Sequence, residues 1–387
     1  MTPERRRRLA VGLAGFCTFL NLYAPQSVLP VWMHEFGVGA AKVSMAITAS
    51  TLAVAIIAPF AGAVADVLGR RRVITAAMFL LVVPTAMVAF APDIDTLIGW
   101  RFVQGLVLPP IFAVTVAYIA EEWPAAQAVG ITGLYTSAAG FGGFFGRFFS
   151  GVAADLVGWR YAFFCLAVLT LALALAVSAW LPRERHFVSS DGLSTATRQM
   201  VGHLANARLV ATYLVGFGVL FTFVAVFTYV NFHLAAAPFN LSPALLGAIF
   251  VVYLAGSAAS PLTGRLVSRF GRRELAQGVI AIWIAGLLLT LIPSLPIIVL
   301  GLAVAAACGF LCQAMSTSFV ATTARQGHSS AVGLYVTFYY VGGTLGGLLT
   351  GLVWNRAGWP GCVGVVVTVL LLMGLVVHLS WRQPRAA

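Results

Sequence analysis

The stretch GAVADVLGRRRV, residues Gly62–Val73, returns 202 residues later as GRLVSRFGRREL, residues Gly264–Leu275. A proline lies three residues before each copy, at Pro59 and at Pro261. Further along, a glycine-rich pattern that begins at residue 133 is repeated from residue 333, at an offset of 200. The chain is therefore one unit of about 200 residues written twice.

Composition places this duplicated chain in a membrane. Hydrophobic residues make up 60% of the 387 residues and charged residues only 9%. A soluble protein of this length needs more charge to cover its surface. Several apolar runs exceed the roughly 20 residues that cross a bilayer as a helix. The composition predicts an all-α membrane protein.

Hydropathy and helix-breaking residues predict twelve transmembrane helices. Six helices in each half return the chain to its starting side, so the two six-helix bundles are expected to be related by a pseudo-two-fold axis along the membrane normal. The predicted domains are an N-terminal bundle over 1–181, a cytoplasmic linker over 182–206 and a C-terminal bundle over 207–387. The predicted helices are 9–30, 43–66, 73–91, 96–119, 127–152, 161–181, 208–234, 243–266, 274–293, 295–322, 329–352 and 361–380.

The positive charge is distributed by topology and does not indicate nucleic acid binding. The formal net charge is +12, and 18 of the 23 lysines and arginines fall on one side of the predicted helices. This asymmetry follows the positive-inside rule, which predicts a multi-pass protein of a bacterial inner membrane with both termini in the cytoplasm. No grouping of histidine, cysteine and acidic residues predicts a metal site or a cofactor.

Two motifs carry a resemblance to a known family. Gly62-x-x-x-Asp66-x-x-Gly69-Arg70-Arg71-Arg72 resembles the loop signature of the major facilitator superfamily, and Arg101-Phe102-Val103-Gln104-Gly105 resembles its RxxQG motif. The chain is most similar to the twelve-span branch of drug–proton antiporters and bacterial metabolite exporters. The resemblance implies the major facilitator fold, alternating access and a protein that commonly works as a monomer.

The loop signature implies a gate. Arg70 or Arg71 can pair with Glu121 or Glu122, while the glycines permit a tight turn and close helix contact. The alternative is that these arginines only set the topology, although Asp66 is harder to explain in that way. The predicted gating residues are Gly62, Asp66, Gly69, Arg70, Arg71, Glu121 and Glu122.

Two arginines lie inside predicted helices. Arg101 is about 8 Å into the fourth helix and Arg147 about 16 Å before Gly158, at 1.5 Å per residue. Such charges usually face a cavity or a partner. The alternatives are that Arg101 reaches the outer interface and that Arg147 forms an ion pair with Asp155.

The remaining candidates are polar residues on the helices that line the centre of this fold. None of the eleven acidic residues lies in the middle of a predicted helix, so the sequence favours neutral polar or anionic solutes over cations. If protons drive the cycle, Asp66, Glu35, Asp155 or His233 would carry them, and Asp66 and His233 are the candidates retained. Each lining candidate could equally be satisfied between helices. The candidate substrate-binding residues are Asn21, Gln26, Arg101, Gln104, Arg147, Tyr229, Asn231 and Gln313.

These observations predict a secondary transporter of a small organic solute, with proton-coupled export of a drug, sugar or metabolite as the first mechanism. A uniporter or importer of an organic anion is the rival. ATP-driven transport is excluded because no GxxxxGK[ST] motif occurs, and scattered histidines without HExxH or paired acids argue against an enzyme. Membrane lipid, the solute and protons are the expected partners.

Overall fold

The computed structural model describes residues 2–184, 200–323 and 328–381, and these residues contain no β-strand. Helices follow one another with short links, as the hydropathy pattern predicts. The helices are α1 (Pro3–Tyr23), α2 (Leu29–Glu35), α3 (Ala40–Leu68), α4 (Arg70–Ala89), α5 (Ile94–Glu122), α6 (Ala125–Val157), α7 (Trp159–Trp180), α8 (Ala207–Ala235), α9 (Pro243–Ile249), α10 (Tyr253–Ala259), α11 (Thr263–Phe270), α12 (Arg272–Leu289), α13 (Leu295–Thr323) and α14 (His328–Ser380).

Eight helical segments of the described chain are long and apolar enough to cross a membrane. One of them, Ser330–Ser380, has 51 residues, more than twice the length of about 20 that one crossing needs. Gly358 lies inside it with φ 56° and ψ −147°, so the backbone is not helical there. The protein is all-helical with several possible membrane crossings, and the number twelve stays a prediction.

The chain divides into two compact units. The first comprises Met1–Leu193 and Leu234–Phe250, and the second Ser194–His233 and Val251–Ala387. A segment from the second sequence copy, which contains α9, therefore packs in the first unit. Most of the predicted linker, residues 185–199, lies outside the described residues, so the predicted domain boundaries stay predictions.

The duplication is visible in the backbone. Gly69 ends α3 with φ 90°, and its counterpart Gly271 ends α11 with φ 80°. Gly158 and Gly358 form a second such pair, with φ 88° and 56°. Side chains other than hydrogen disfavour positive φ, so glycine stops the helix and allows the next to start at once. The two copies use the same backbone device at equivalent positions.

Glycines also set the closest helix contacts in both units. In the first unit α1 packs on α6, and a Cβ at Gly142 or Gly146 would lie 2.2 or 2.3 Å from a backbone oxygen of α1. In the second unit a Cβ at Gly342 or Gly346 would lie 2.1 or 2.4 Å from a backbone oxygen of α8. Gly142, Gly146, Gly342 and Gly346 thus serve close packing.

Gly146→Ala is therefore expected to destabilise the first unit by about 1–3 kcal/mol, because the new methyl group would overlap the carbonyl oxygen of Leu20. Thermal unfolding of purified protein in detergent measures the change. Gly130→Ala is the matched control, since nothing lies within 4 Å of a Cβ at Gly130. Equal melting temperatures for the two variants would contradict the packing argument.

Two of the predicted continuous helices are broken. The predicted helix 9–30 is interrupted by a 3₁₀ turn over Ala24–Ser27, where Pro25 offers no N–H to the turn before it. The predicted helix 243–266 is divided by 3₁₀ turns over Phe250–Val252 and Ser260–Leu262, the second of which contains Pro261. Broken helices in transporters commonly lie beside binding sites.

Candidate functional site

Three acidic and basic side chains meet where α3, α4 and α5 come together. Arg70 Nη2 lies 2.6 Å from Asp66 Oδ1 and 2.7 Å from Glu121 Oε1. Arg70 also donates to the carbonyl of Gly62 at 3.3 Å, and its side chain is only 8% exposed. The sequence predicted that Arg70 or Arg71 would meet Glu121 or Glu122, and Arg70 meets Glu121.

The other residues of that prediction have different partners. Glu122 Oε2 lies 2.9 Å from Arg7 Nη2, and the Arg7 guanidinium lies 3.8 Å from the centre of the Trp123 ring. Arg71 donates to the carbonyls of Leu181 at 2.6 Å and Ser178 at 2.9 Å. Arg7 was missed because its run of four arginines reads as a topology signal. We call Arg7, Asp66, Arg70, Glu121 and Glu122 the charged cluster; its role as a gate stays a prediction.

Glu4 extends the charged cluster. Its carboxylate accepts hydrogen bonds from Trp123 Nε1 at 2.9 Å and from Arg8 Nε at 2.8 Å. Burial raises the pKa of Glu4, but these two hydrogen bonds and the charges of Arg8 and Arg7 outweigh it, so the pKa lies below its ordinary value. Glu4 is therefore ionised at neutral pH and holds the start of α1 on the end of α5.

Arg101 is fully buried, and its side chain donates hydrogen bonds to carbonyls at the end of α1. Its guanidinium donates to the carbonyls of Asn21 at 3.0 Å, Leu22 at 2.5 Å and Ala46 at 3.1 Å. Asn21 lies in the last turn of α1, where Pro25, four residues on, has no N–H to complete the helix bond. Arg101 supplies the missing donor.

A chain of side chains continues from Arg101 through the first unit. Arg101 donates to Gln104, Gln104 to the Thr85 hydroxyl at 2.7 Å, and Thr85 to Asn21 Oδ1 at 2.9 Å. Asn21 in turn donates to Thr170 Oγ1 at 3.0 Å. All five side chains are fully buried, and they join α1, α4, α5 and α7. In this structure the predicted lining residues Asn21, Arg101 and Gln104 are satisfied between helices, as the alternative proposed; their contact with a solute stays a prediction.

Arg147 lies in a second buried group with Gln26. Its Nε donates to Gln26 Oε1 at 2.6 Å and its Nη1 to the carbonyl of Gly143 at 2.6 Å. The guanidinium lies 4.4 Å from the ring centres of both Tyr23 and Phe250, so aromatic faces enclose it. Arg147 is 1% exposed. We call Tyr23, Gln26, Arg147 and Phe250 the arginine pocket.

The geometry turns Arg147 away from the ion pair considered for it. The guanidinium reaches back to Gly143, one turn earlier on α6, whereas Asp155 lies two turns later. Asp155 instead accepts hydrogen bonds from Ser242 Oγ at 2.6 Å and from the Ala244 N–H at 3.0 Å. These hydrogen bonds hold the start of α9 on the end of α6. Phe250, which directly follows α9, lies on the Arg147 guanidinium.

Two residues of the arginine pocket lie at points where a helix is interrupted. Gln26 lies in the 3₁₀ turn Ala24–Ser27, and Phe250 begins the turn Phe250–Val252. At the first break the carbonyl of Ala24 accepts a hydrogen bond from the Ser150 hydroxyl at 2.5 Å. Two interrupted helices and a buried cation at one place make the arginine pocket the strongest candidate solute site in the first unit.

The second-unit candidates lie on two helices, α8 and α13. Tyr229 donates to the carbonyl of Gly347 at 2.8 Å, and the Asn231 amide donates to the carbonyl of Phe227 at 2.7 Å. Gln313 is half-buried on α13. His233 stacks on Trp359, with ring centres 5.6 Å apart and an interplanar angle of 11°. Their roles in solute binding and proton coupling stay predictions.

The duplicated fold and its motifs agree with a known family. The sequence model of the Major Facilitator Superfamily matches residues 11–237 and, again, residues 214–387. The two matches together cover almost the whole chain. The chain belongs to the Major Facilitator Superfamily.

Relatives within the family are transporters. The chain is similar to the uncharacterized MFS-type transporter YybF of Bacillus subtilis (strain 168), at 31% identity over 96% of this chain and 92% of YybF. It is also similar to the inner membrane transport protein YnfM of Escherichia coli (strain K12), at 32% identity over 97% and 90%. The crystal structure of a bacterial homologue of the human lysosomal transporter Spinster shares the fold, with a TM-score of 0.77, 15% identity and full coverage of both chains. The chain is a multi-pass membrane transporter.

Family motifs did not reveal every residue of the two buried groups. Thr85 and Thr170 were missed because threonine in a helix normally satisfies its hydroxyl on the carbonyl one turn earlier, and both also do so, at 2.7 Å. Phe250 was missed because it reads as one apolar residue among many. No sequence signal distinguishes it from a lipid-facing phenylalanine.

Proposed function

We propose that this superfamily member moves a small organic solute across the bacterial inner membrane by alternating access, as a proton-coupled exporter of a drug, sugar or metabolite. The resemblance to the drug–proton antiporter branch supports export. The charged cluster is proposed as its cytoplasmic gate, since three ionic contacts that join α1, α3, α4 and α5 can form or break together with a helix movement.

The arginine pocket is the observation that supports a solute site. Gln26 and Arg147, both fully buried beside broken helices, present an amide and a cation at one place. A buried guanidinium gains most from an anionic or hydrogen-bond-accepting group. This favours neutral polar or anionic solutes and makes transport of an organic anion, by uniport or import, the second candidate function.

Transport into everted vesicles with and without an imposed pH gradient separates these mechanisms. The probes are an anionic and a cationic dye of similar size. A proton-coupled exporter accumulates its dye faster when the vesicle interior is acid, and collapse of the gradient removes the difference. A rate indifferent to the gradient rejects proton coupling and leaves the uniporter, and preference for the cationic dye rejects the role of Arg147.

The same vesicles test the proposed proton carriers. Asp66→Asn or His233→Gln is expected to abolish the response to the pH gradient if that residue carries the proton. A variant that still responds excludes its residue. If Asp66 serves the gate instead, Asp66→Asn slows transport in both conditions by a similar factor.

A further inference from the structure

An open cavity of about 340 Å³ lies beside the first copy of the repeated motif. It is formed where α3 ends, α4 begins and the chain leaves α7. None of the residues that line it belongs to the arginine pocket or to the charged cluster. The cavity is lined by Val67, Leu68, Gly69, Arg71, Arg72, Arg183 and Glu184.

The cavity is cationic. Its lining contains three arginines and one glutamate, and the Glu184 carboxylate accepts a hydrogen bond from the backbone N–H of Arg71 at 3.4 Å. The Arg71 side chain is fixed on the carbonyls of Leu181 and Ser178. Arg72 and Arg183 are exposed and make no side-chain hydrogen bond or ion pair with the described residues. Two arginines therefore remain available to an anion.

The cavity is also amphipathic. Val67 is 76% exposed and Leu68 is 54% exposed, although both are apolar. They are the last two residues of Ala40–Leu68, a helix apolar enough to cross a membrane. The boundary between hydrocarbon and water is thus expected at this point, with apolar side chains on one side of the cavity and arginines on the other.

We propose that this cavity binds the headgroup phosphate of an anionic glycerophospholipid. The phosphate pairs with Arg72 and Arg183, because guanidinium groups match phosphate oxygens in geometry and charge. The glycerol backbone and the first acyl carbons lie on Val67 and Leu68. A free phosphate ion would use the arginines but gain nothing from the two apolar residues.

The arginines in the second copy of the motif make different contacts. Arg273 Nη2 lies 2.9 Å from His378 Nδ1, and the Arg272 guanidinium lies 4.7 Å from the ring centre of Phe319. Arg265 and Arg269 are exposed on α11. These two residues provide a matched control, since replacing them removes the same charge from the second copy of the motif in the other unit.

The experiment measures lipid binding to purified protein in neutral detergent by native mass spectrometry. The probes are phosphatidylglycerol, zwitterionic phosphatidylethanolamine and phosphatidylcholine, and glycerol 3-phosphate. Arg72→Gln/Arg183→Gln is expected to weaken phosphatidylglycerol binding about 30-fold, since each arginine near an anionic lipid contributes roughly fivefold. Arg265→Gln/Arg269→Gln is expected to change it less than about threefold.

Several results would overturn the proposal. Equal losses for the two double variants would mean diffuse surface charge and no site. Binding of glycerol 3-phosphate as tight as that of phosphatidylglycerol would mean a soluble anion. Equal binding of all three lipids to wild-type protein would mean no headgroup selection. If the double variant fails to fold, Arg72→Gln and Arg183→Gln are measured singly, and a loss below about twofold in both rejects the site.

Discussion

Arg147→Ala is expected to lower the transport of an anionic solute by about 10- to 100-fold, because hydrogen bonds to a charged group contribute about 1.5–3 kcal/mol. The variant also leaves Gln26 and the carbonyl of Gly143 without their donor. The measurement is uptake of the paired anionic and cationic dyes, with the anionic dye expected to lose its advantage.

Arg147→Lys separates charge from shape. Lysine keeps the positive charge but replaces a planar group that lies between two rings with a compact ammonium. We expect an intermediate loss of transport from this variant. Arg356→Ala is the matched control, since Arg356 is exposed on α14 and makes no side-chain hydrogen bond or ion pair with the described residues.

A thermal-shift screen makes the result for Arg147 decisive. Organic acids that raise the melting temperature of the wild-type protein should no longer raise that of Arg147→Ala. A variant that melts early yet is stabilised by the same acids would show that Arg147 holds α1 and α6 together and does not bind the solute. Sugars or cationic drugs as the stabilising compounds would contradict the anionic preference.

Arg101→Ala is expected to lower the free energy of unfolding by about 3 kcal/mol or more, since each buried acceptor left without a donor costs about 1–3 kcal/mol. The carbonyls of Asn21 and Leu22 at the end of α1 are the main acceptors that would be lost. Thermal unfolding in detergent, without solute, measures the effect.

Ser50→Ala is the control for Arg101. Its hydroxyl donates to the Arg101 carbonyl at 2.8 Å, so the variant disturbs the same place but removes one neutral hydrogen bond. About 1 kcal/mol is the expected loss. An Arg101→Ala protein as stable as Ser50→Ala would mean that water or a neighbouring group replaces the guanidinium, and the buried network would then not hold the end of α1.

Arg101 and Arg147 show how much of the site could be predicted from the sequence. A charge within an apolar run predicted that each arginine faces a cavity or a partner, with the outer interface as the alternative for Arg101, and the duplication predicted the paired glycines at positions 69 and 271. The family motif predicted that Arg70 or Arg71 would pair with Glu121 or Glu122, and in the structure Arg70 pairs with Glu121. Each of these inferences depends on a pattern within short stretches of chain or on its repetition.

The rest depends on direction and on contacts between distant stretches. A helix position does not say whether a long side chain reaches towards Gly143 or towards Asp155, because both are sterically accessible from α6. The breaks beside the arginine pocket illustrate the same limit. Pro25 indicates the first break in the sequence. The second break, at Phe250, lies in an uninterrupted apolar run with no proline nearby, so the sequence does not indicate it.

The placement of Leu234–Phe250 in the first unit has a consequence for truncated forms of the protein. Phe250, whose ring centre lies 4.4 Å from the Arg147 guanidinium, belongs to the second sequence copy although it packs in the first unit. A fragment that ends at Trp180 would therefore leave one face of this buried guanidinium without its aromatic cover, so the first sequence copy is not expected to be a self-sufficient module.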